Sequence, residues 1–245
     1  MRTRTDSLRW TVEGTRLLVH AIGELDDDAL DAPSGLPGWS RRTLIAHIAA
    51  NADALSNLVY WAATGEETPM YASPEARAAG IAEGAAKPTA TLVEWVRSSA
   101  SQLDSAMSRL SDEQWLHPVR TAQGRTVAAD EIPWMRAREA CVHAVDLDAG
   151  IAFADLPSDF LLELGDDIVA KRNRTPAVAV HLTATDTSVK GAPATWALRG
   201  PDSDPDIGII EVFAPLSDVV AYLSGRAADC WTVDGTPAPT LPSWL

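Results

Sequence analysis

Hydrophobic positions over the first 150 residues recur at the spacing of helices. Apolar residues three and four positions apart predict four long helices separated by polar segments. These predicted helices run from about Asp6 to Leu25, from Ser40 to about Ala63, from Pro88 to Leu110 and from about Ala128 to Leu147. Ser40 is placed to act as an N-cap, and Gly65 is a natural stop for the second helix. The pattern predicts a helical bundle.

Two of the connections between these helices carry further signals. The segment 31–39 holds two prolines and two glycines and is predicted to be a loop. The segment 66–87 is long for a connection within one domain, which is typical of functional loops. Part of it, Pro74 to Glu83, has a helical pattern. A polar turn is expected around Gly124.

The pattern changes after residue 150. Leu156 to Ala170 and Leu216 to Leu223 have helical spacing. Strand-like segments are predicted at 178–185, at 195–198 and at 207–213. Because strands and helices interleave here, we predict an α+β chain, with a helical domain over residues 1–150 and a smaller α/β domain over residues 151–245.

The composition narrows the function classes. The chain has 20 Lys and Arg against 34 Asp and Glu, a net charge of −14, which argues against a nucleic-acid surface and against attraction to anionic lipid. No segment approaches the roughly 20 apolar residues of a membrane span. The two cysteines, Cys141 and Cys230, are too few for a disulfide scaffold. We expect a cytoplasmic protein that binds neither nucleic acid nor membrane, and a monomer is compatible with the sequence.

One pattern within the fourth helix suggests chemistry. Glu139 and His143 are four residues apart, so their side chains share a helical face and can reach one point. Carboxylate and imidazole are both good ligands for divalent metals. The alternative is a Glu–His pair that only supports the helix, and such pairs are common.

A third residue strengthens the metal hypothesis. His47 lies beside Leu44 and Ile48 on the inward face of the second helix. Taken alone, it could be a neutral core histidine with a backbone partner. Two His and one Glu from facing bundle helices, however, form a catalytic zinc set that leaves one coordination position open. Cobalt or nickel would suit the same ligands.

Several segments of the chain resemble segments of a known protein family. They are Leu36-Pro-Gly-Trp-Ser, Leu44-Ile-Ala-His, Thr64-Gly-Glu-Glu-Thr-Pro-Met-Tyr-Ala-Ser-Pro-Glu-Ala-Arg, Thr121-Ala-Gln-Gly-Arg-Thr-Val, Trp134-Met-Arg-Ala-Arg-Glu, His143-Ala-Val-Asp-Leu, Gly225-Arg and the ending Pro-Ser-Trp-Leu. The chain resembles the mycothiol-dependent maleylpyruvate isomerases, which belong to the DinB-related metal-binding helical bundles. The resemblance implies an N-terminal four-helix bundle and a smaller C-terminal α/β domain.

The resemblance also implies an activity and a set of site residues. The family isomerises maleylpyruvate to fumarylpyruvate: a metal-activated mycothiol thiolate adds to the double bond, the resulting single bond rotates, and the thiolate leaves. The implied metal ligands are His47, Glu139 and His143. The implied catalytic arginines are Arg226 and Arg77, which suit the two carboxylates and the enolate of the substrate. Arg125 is a candidate for binding the thiol coenzyme. The partners are a small dicarboxylate and a low-molecular-weight thiol.

Each arginine also has a simpler explanation. Arg226 could cap the dipole at a helix C-terminus, and Arg77 and Arg125 could be solvated loop charges. A role for Arg226 would require the C-terminal domain to fold over the bundle. Two alternative functions use the same metal site: a mycothiol S-transferase acting on electrophiles, and a metal-stabilised binding module without catalysis.

Overall fold

The computed structural model describes residues 2–175, 178–199, 208–241 and 244, and the chain forms two compact units, residues 2–151 and 152–245. The first unit contains seven helices and one small hairpin among these residues. The helices are α1 (Arg4–Gly23), α2 (Asp27–Asp31), α3 (Arg41–Thr64), α4 (Pro74–Ala85), α5 (Thr89–Met107), α6 (Asp112–Trp115) and α7 (Ile132–Asp146). The hairpin pairs β1 (Pro118–Arg120) with β2 (Thr126–Ala128) in antiparallel register.

The four long helices α1, α3, α5 and α7 form the predicted bundle. Helix α1 packs along α7, α3 packs along α5, and α3 also contacts α7. Their apolar stripes are buried between them, with Leu18, Leu44, Leu92 and Ala140 each 1% exposed or less. Burial of such stripes is the main source of helix stability in a bundle.

Local sequence explains where the bundle helices begin and end. The Ser40 hydroxyl accepts from the backbone N–H of Thr43 and starts α3, and Gly65 ends it with a φ of 78°. Helix α7 begins at Ile132, four residues later than predicted, because Pro133 lacks an N–H and fits only in the first turn. A 3₁₀ turn, Ala129–Glu131, occupies the preceding residues.

The loop before α3 joins two bundle helices at their ends. The backbone N–H of Gly35 donates to the carbonyl of Asp146 over 2.7 Å. A Cβ at position 35 would lie 3.2 Å from that same carbonyl oxygen, so a larger residue would crowd it. Arg41 donates to the carbonyls of Leu147 and Asp148. These bonds hold the N-terminus of α3 against the C-terminus of α7.

The second unit is a small sheet covered by two helices. Its helices are α8 (Ser158–Arg172) and α9 (Leu216–Leu223), and its strands are β3 (Val180–Val189), β4 (Ala192–Leu198), β5 (Ile210–Ala214) and β6 (Trp231–Thr232). The strand order is β4-β3-β5-β6, with β3 and β5 parallel and the other two pairs antiparallel. Helix α8 packs on β4, and α9 packs on β3 and β5.

The predicted α+β class is confirmed, and the differences are local. Helix α2, the β1–β2 hairpin and strand β6 were not predicted. The start of the strand predicted from Ile207 lies outside the described residues. In the part of the chain that the structure describes, no helix combines the length and the apolar character needed to cross a membrane.

Candidate metal centre

Three predicted side chains from two helices meet at one point in the first unit. His47 lies on α3, and Glu139 and His143 lie one turn apart on α7. One ligand atom from each residue lies within 4.8 Å of those of the other two. The side chain of His47 is 8% exposed, that of Glu139 28% and that of His143 14%. The bundle therefore brings the three residues together at a half-buried position.

The spacing of these atoms is suited to an ion. Nε2 of His47 lies 3.1 Å from Oε2 of Glu139, and Nε2 of His143 lies 3.3 Å from the same oxygen. Ligand atoms bound at about 2.1 Å in a tetrahedral site lie about 3.4 Å from one another. The arrangement is therefore close to the separation that a zinc-sized ion requires. Two neutral imidazoles and one carboxylate also match a known zinc donor set with an open position.

The side chain of Asp146 orients His143. Nδ1 of His143 lies 2.8 Å from Oδ2 of Asp146, whose side chain is 2% exposed. The carboxylate accepts the Nδ1 proton, which leaves Nε2 directed at Glu139. Carboxylate–histidine pairs of this kind fix the tautomer and raise the basicity of a metal-binding imidazole.

His47 is held from two sides. Nη2 of Arg77 on α4 lies 3.3 Å from its Nδ1. The ring of Trp39, in the loop before α3, meets the His47 ring edge to face, with centroids 5.5 Å apart and an interplanar angle of 88°. The rings of His47 and His143 are themselves 5.2 Å apart. The loop, α4 and α7 therefore together set the position of this imidazole.

The metal-free cluster has strongly shifted protonation equilibria. Burial alone raises the pKa of Glu139, but hydrogen bonds from His143 and His47 and their charge outweigh it, so the net pKa lies well below 4.5. For His143, burial lowers the pKa, but hydrogen bonds to Asp146 and Glu139 raise it by a larger amount. The net pKa of His143 is about 9. Glu139 is therefore ionised at neutral pH, whereas His143 carries a proton that a bound cation would displace.

A buried arginine fixes α7 to α3 beside the cluster. Arg136 has no exposed surface, and its Nη1 donates to the carbonyl of Ile48 and to Oδ1 of Asn51, at 2.8 and 3.1 Å. Burial lowers the pKa of Arg136 to about 10. Because these bonds join the two ligand-bearing helices one turn from His47 and Glu139, they help to hold the ligand spacing.

The three predicted arginines lie in different places. Arg77 lies on α4, half-buried against His47, so it is not a solvated loop charge. Arg125 is exposed in the turn between β1 and β2, where its carbonyl accepts from the Thr121 N–H. Arg226 belongs to the second unit and follows α9, where its Nη1 donates to the carbonyl of Ser224 at 2.7 Å.

Three contributors to the site were not predicted as such. Asp146 lies three residues after His143, and that helical spacing is a signal that the sequence contains. Trp39 and Arg136 occur in segments that carry the family resemblance, but their contacts depend on how loop and helices pack. Cys141, on the same helix as Arg136, is buried, and its Sγ lies 3.7 Å from the carbonyl of Trp10.

The family model and two similar solved structures all concern one family of proteins. Residues 12–148 match the family described as the mycothiol maleylpyruvate isomerase N-terminal domain. The crystal structure of a mycothiol-dependent maleylpyruvate isomerase is 35% identical to this chain, with a TM-score of 0.87, over 99% of this chain and 98% of that one. A histidine-to-alanine mutant of such an enzyme is similar over the same shares at 35% identity, with a TM-score of 0.85. A search of curated proteins gave no match.

Proposed function

This chain belongs to the mycothiol maleylpyruvate isomerase family, and on that premise we propose that it converts maleylpyruvate to fumarylpyruvate with mycothiol as coenzyme. One observation carries the proposal: His47, Glu139 and His143 place three ligand atoms within 4.8 Å of one another. No observation on the described residues favours the alternative of a mycothiol S-transferase.

We propose that His47, Glu139 and His143 hold a divalent metal, and that the metal is zinc. Such an ion, when bound, supplies a Lewis acid that keeps a thiol ionised at neutral pH. The protein contributes one negative charge, from Glu139, and two neutral imidazoles. A dication in this set keeps a net positive charge, which suits an anionic sulfur ligand at the open position.

Arg77 is the proposed partner of the substrate. The double bond of maleylpyruvate is conjugated with a ketone, so nucleophilic addition to it places negative charge on the carbonyl oxygen. A guanidinium binds carboxylates and such an oxygen through planar pairs of N–H donors. The Arg77 guanidinium already lies at hydrogen-bond distance from His47, so it faces the proposed metal centre and can stabilise charge that develops beside it.

Asp146 is the proposed positioning residue for His143. Its carboxylate holds the Nδ1 proton, so the imidazole presents an unprotonated Nε2 to the ion. Substrate binding by Arg226, coenzyme binding by Arg125 and the dicarboxylate substrate stay predictions from the family resemblance. The monomeric state and the cytoplasmic location stay predictions from the sequence.

The test is an isomerase assay on purified protein with its metal content measured in parallel. Maleylpyruvate is supplied with mycothiol, with mycothiol after the protein has been stripped by a chelator, and without any thiol. We expect turnover only in the first case. Turnover without thiol would contradict the mechanism, and turnover of electrophilic acceptors instead of maleylpyruvate would favour the S-transferase.

A further inference from the structure

A groove lies next to the metal centre, between α3, α4 and α5. Its volume is about 850 Å³, within the range of sites for small molecules. Side chains from all three helices line it, among them Asp53, Asn57, Arg77, Glu94 and Trp95, together with Tyr71 from the segment before α4. None of the three proposed metal ligands lines this α3–α4–α5 groove, so it adds a second binding region to the one described above.

One side chain connects the groove with the metal centre. Arg77 lines the groove, and its Nη2 lies 3.3 Å from Nδ1 of His47. The ring of Tyr71, which also lines the groove, lies 5.7 Å from the centre of the same guanidinium. Arg77 therefore borders both the groove and His47.

The groove has the chemistry of a site for an uncharged polyol. Trp95 contributes an aromatic ring whose position is fixed, because Nε1 donates to Oδ2 of Asp53 at 2.8 Å, the ring packs on Gly84 and the Lys87 ammonium lies 5.9 Å from the ring centroid. The carboxylates of Asp53 and Glu94 and the amide oxygen of Asn57 provide acceptors for hydroxyl groups, while Nδ2 of Asn57 donates to the carbonyls of Pro69 and Met70. Flat apolar faces bordered by such groups suit the alternating C–H and O–H surface of a sugar.

Charge argues against the dicarboxylate as the occupant. The lining includes three acidic residues, Asp53, Glu83 and Glu94, and two basic ones, Arg77 and Lys87. Because Arg77 lies at the end beside His47, the rest of the groove is net acidic and repels a doubly charged anion. A neutral ligand meets no such penalty.

We infer that the α3–α4–α5 groove holds the glycoside of the thiol coenzyme, so that the sulfur at its other end is delivered past Arg77 to the metal centre. Mycothiol joins an N-acetylcysteine thiol to an uncharged glucosamine–inositol glycoside. Its two parts therefore match the metal centre and the polyol-binding groove. The inference rests on the proposed function and extends it by assigning coenzyme selectivity to a region away from the metal ligands.

Gly80 offers a way to fill the groove without disturbing the fold. It lines the groove from α4, and a Cβ built there meets no atom within 4 Å. Gly80→Phe therefore places a ring in the groove, and replacing a helical glycine favours the helix. Gly23, at the end of α1, has the same open surroundings and lies outside the groove lining, so Gly23→Phe is the matched control.

The experiment titrates zinc-loaded protein with mycothiol and, separately, with N-acetylcysteine in a calorimeter. We expect wild type to bind mycothiol at least tenfold more tightly than N-acetylcysteine. Gly80→Phe should lose most of that difference and keep its affinity for N-acetylcysteine and its zinc content. Glu94→Gln should lose a smaller part, several-fold, because one charged acceptor becomes neutral. Gly23→Phe should behave as wild type.

Other outcomes overturn the inference. Equal affinity of wild type for the two thiols, or unchanged mycothiol binding in Gly80→Phe, shows that the groove does not hold the glycoside. A loss that affects N-acetylcysteine equally shows that the ring blocks the metal centre instead. A raised KM for maleylpyruvate with unchanged mycothiol binding assigns the groove to the substrate. The isomerase assay on wild type separates these results from a failure of the proposed function.

Discussion

Nη2 of Arg77 lies 3.3 Å from Nδ1 of His47, and the direction of this hydrogen bond follows from the donor alone. A guanidinium has only N–H donors, so Nδ1 of His47 must accept. In the metal-free protein, the proton of a neutral His47 therefore lies on Nε2, which points at Glu139. A metal ion held by Nε2 would require that proton to lie on Nδ1, where it would face the Arg77 donor. Arg77 and a metal thus favour opposite tautomers of one imidazole.

Arg77→Met should separate metal affinity from activity. Zinc binding is expected to tighten roughly tenfold, about 1.4 kcal/mol, because both the competing donor and a nearby positive charge are removed. Isomerase activity should fall, since the proposed contact with the substrate is lost. Competition with a chromogenic chelator measures the first effect and steady-state kinetics the second. Arg77→Lys, which keeps the charge, should bind zinc nearly as wild type does. Weaker zinc binding in Arg77→Met would contradict this account.

Removal of one ligand should abolish the centre. His47→Ala is expected to reduce bound zinc from about one ion per chain to near zero, and isomerase activity with it. The helix should persist, because alanine favours it. Metal analysis and circular dichroism measure the two outcomes. His20→Ala on α1 is the control, since His20 is exposed. A His47→Ala protein that keeps full zinc and activity would rule out this residue as a ligand.

The carboxylate of Asp146 should control metal affinity without touching the metal. Asp146→Asn keeps the size of the side chain but removes the charge that holds the Nδ1 proton of His143. Losses of about 10- to 100-fold in zinc affinity are expected for such a change. Asp130→Asn serves as the control, because Asp130 is exposed and lies outside the cluster. Equal zinc affinity in Asp146→Asn and wild type would show that the contact does not tune the ligand.

The metal-free protein should lose stability as the pH rises. The pKa of His143 is raised from 6.5 to about 9, so its ion pairs contribute fully below about pH 6.5 and are lost as the pH rises through about 9. The contribution of Glu139 to stability depends on pH in the opposite direction. Its pKa lies below 4.5, so this contribution is present above that pH and is lost on acidification. Urea unfolding of chelator-stripped protein between pH 5 and 9.5 measures the change. A free energy of unfolding that stays level or increases from pH 6.5 to 9 would contradict it.

Replacing Arg136 even by lysine should lower the stability of the protein. Its Nη1 bridges the carbonyl of Ile48 and the amide of Asn51 in a fully buried position, and an ammonium group cannot reproduce the planar geometry. We expect Arg136→Lys to lower the free energy of unfolding by about 1–3 kcal/mol, the cost of leaving buried polar groups unpaired. Urea titration measures this value, with the exposed Arg109→Lys as the control. A change below the experimental error would exclude a structural role.

Sequence reasoning reached the bundle and the metal ligands because both depend on local spacing. The apolar stripes of α1, α3, α5 and α7 specify helices, and the interval between Glu139 and His143 specifies one face. That His47 meets them depends on the packing of α3 against α7, which spacing alone cannot establish. The contact between Arg77 and His47 joins residues 30 positions apart through α4, whose start was predicted but whose place in the bundle was not.

The shortest strands were not predicted from the sequence, and the reason is physical. Strands β1, β2 and β6 have two or three residues each, too few to display an alternating pattern. Their existence depends on a partner strand, as in the register of Val119 with Val127. The order of the four-stranded sheet depends likewise on pairings between distant segments, which a linear pattern does not encode.

The ligands come from positions far apart along the chain: His47 and Glu139 are separated by 92 positions. An ion bound to both would act as a reversible cross-link across most of the bundle, closing a long loop that is entropically costly to close in the unfolded chain. Loss of that cross-link lets α3 and α7 part more readily. Metal supply would then set the lifetime of the folded enzyme in the cell as well as its catalytic capacity.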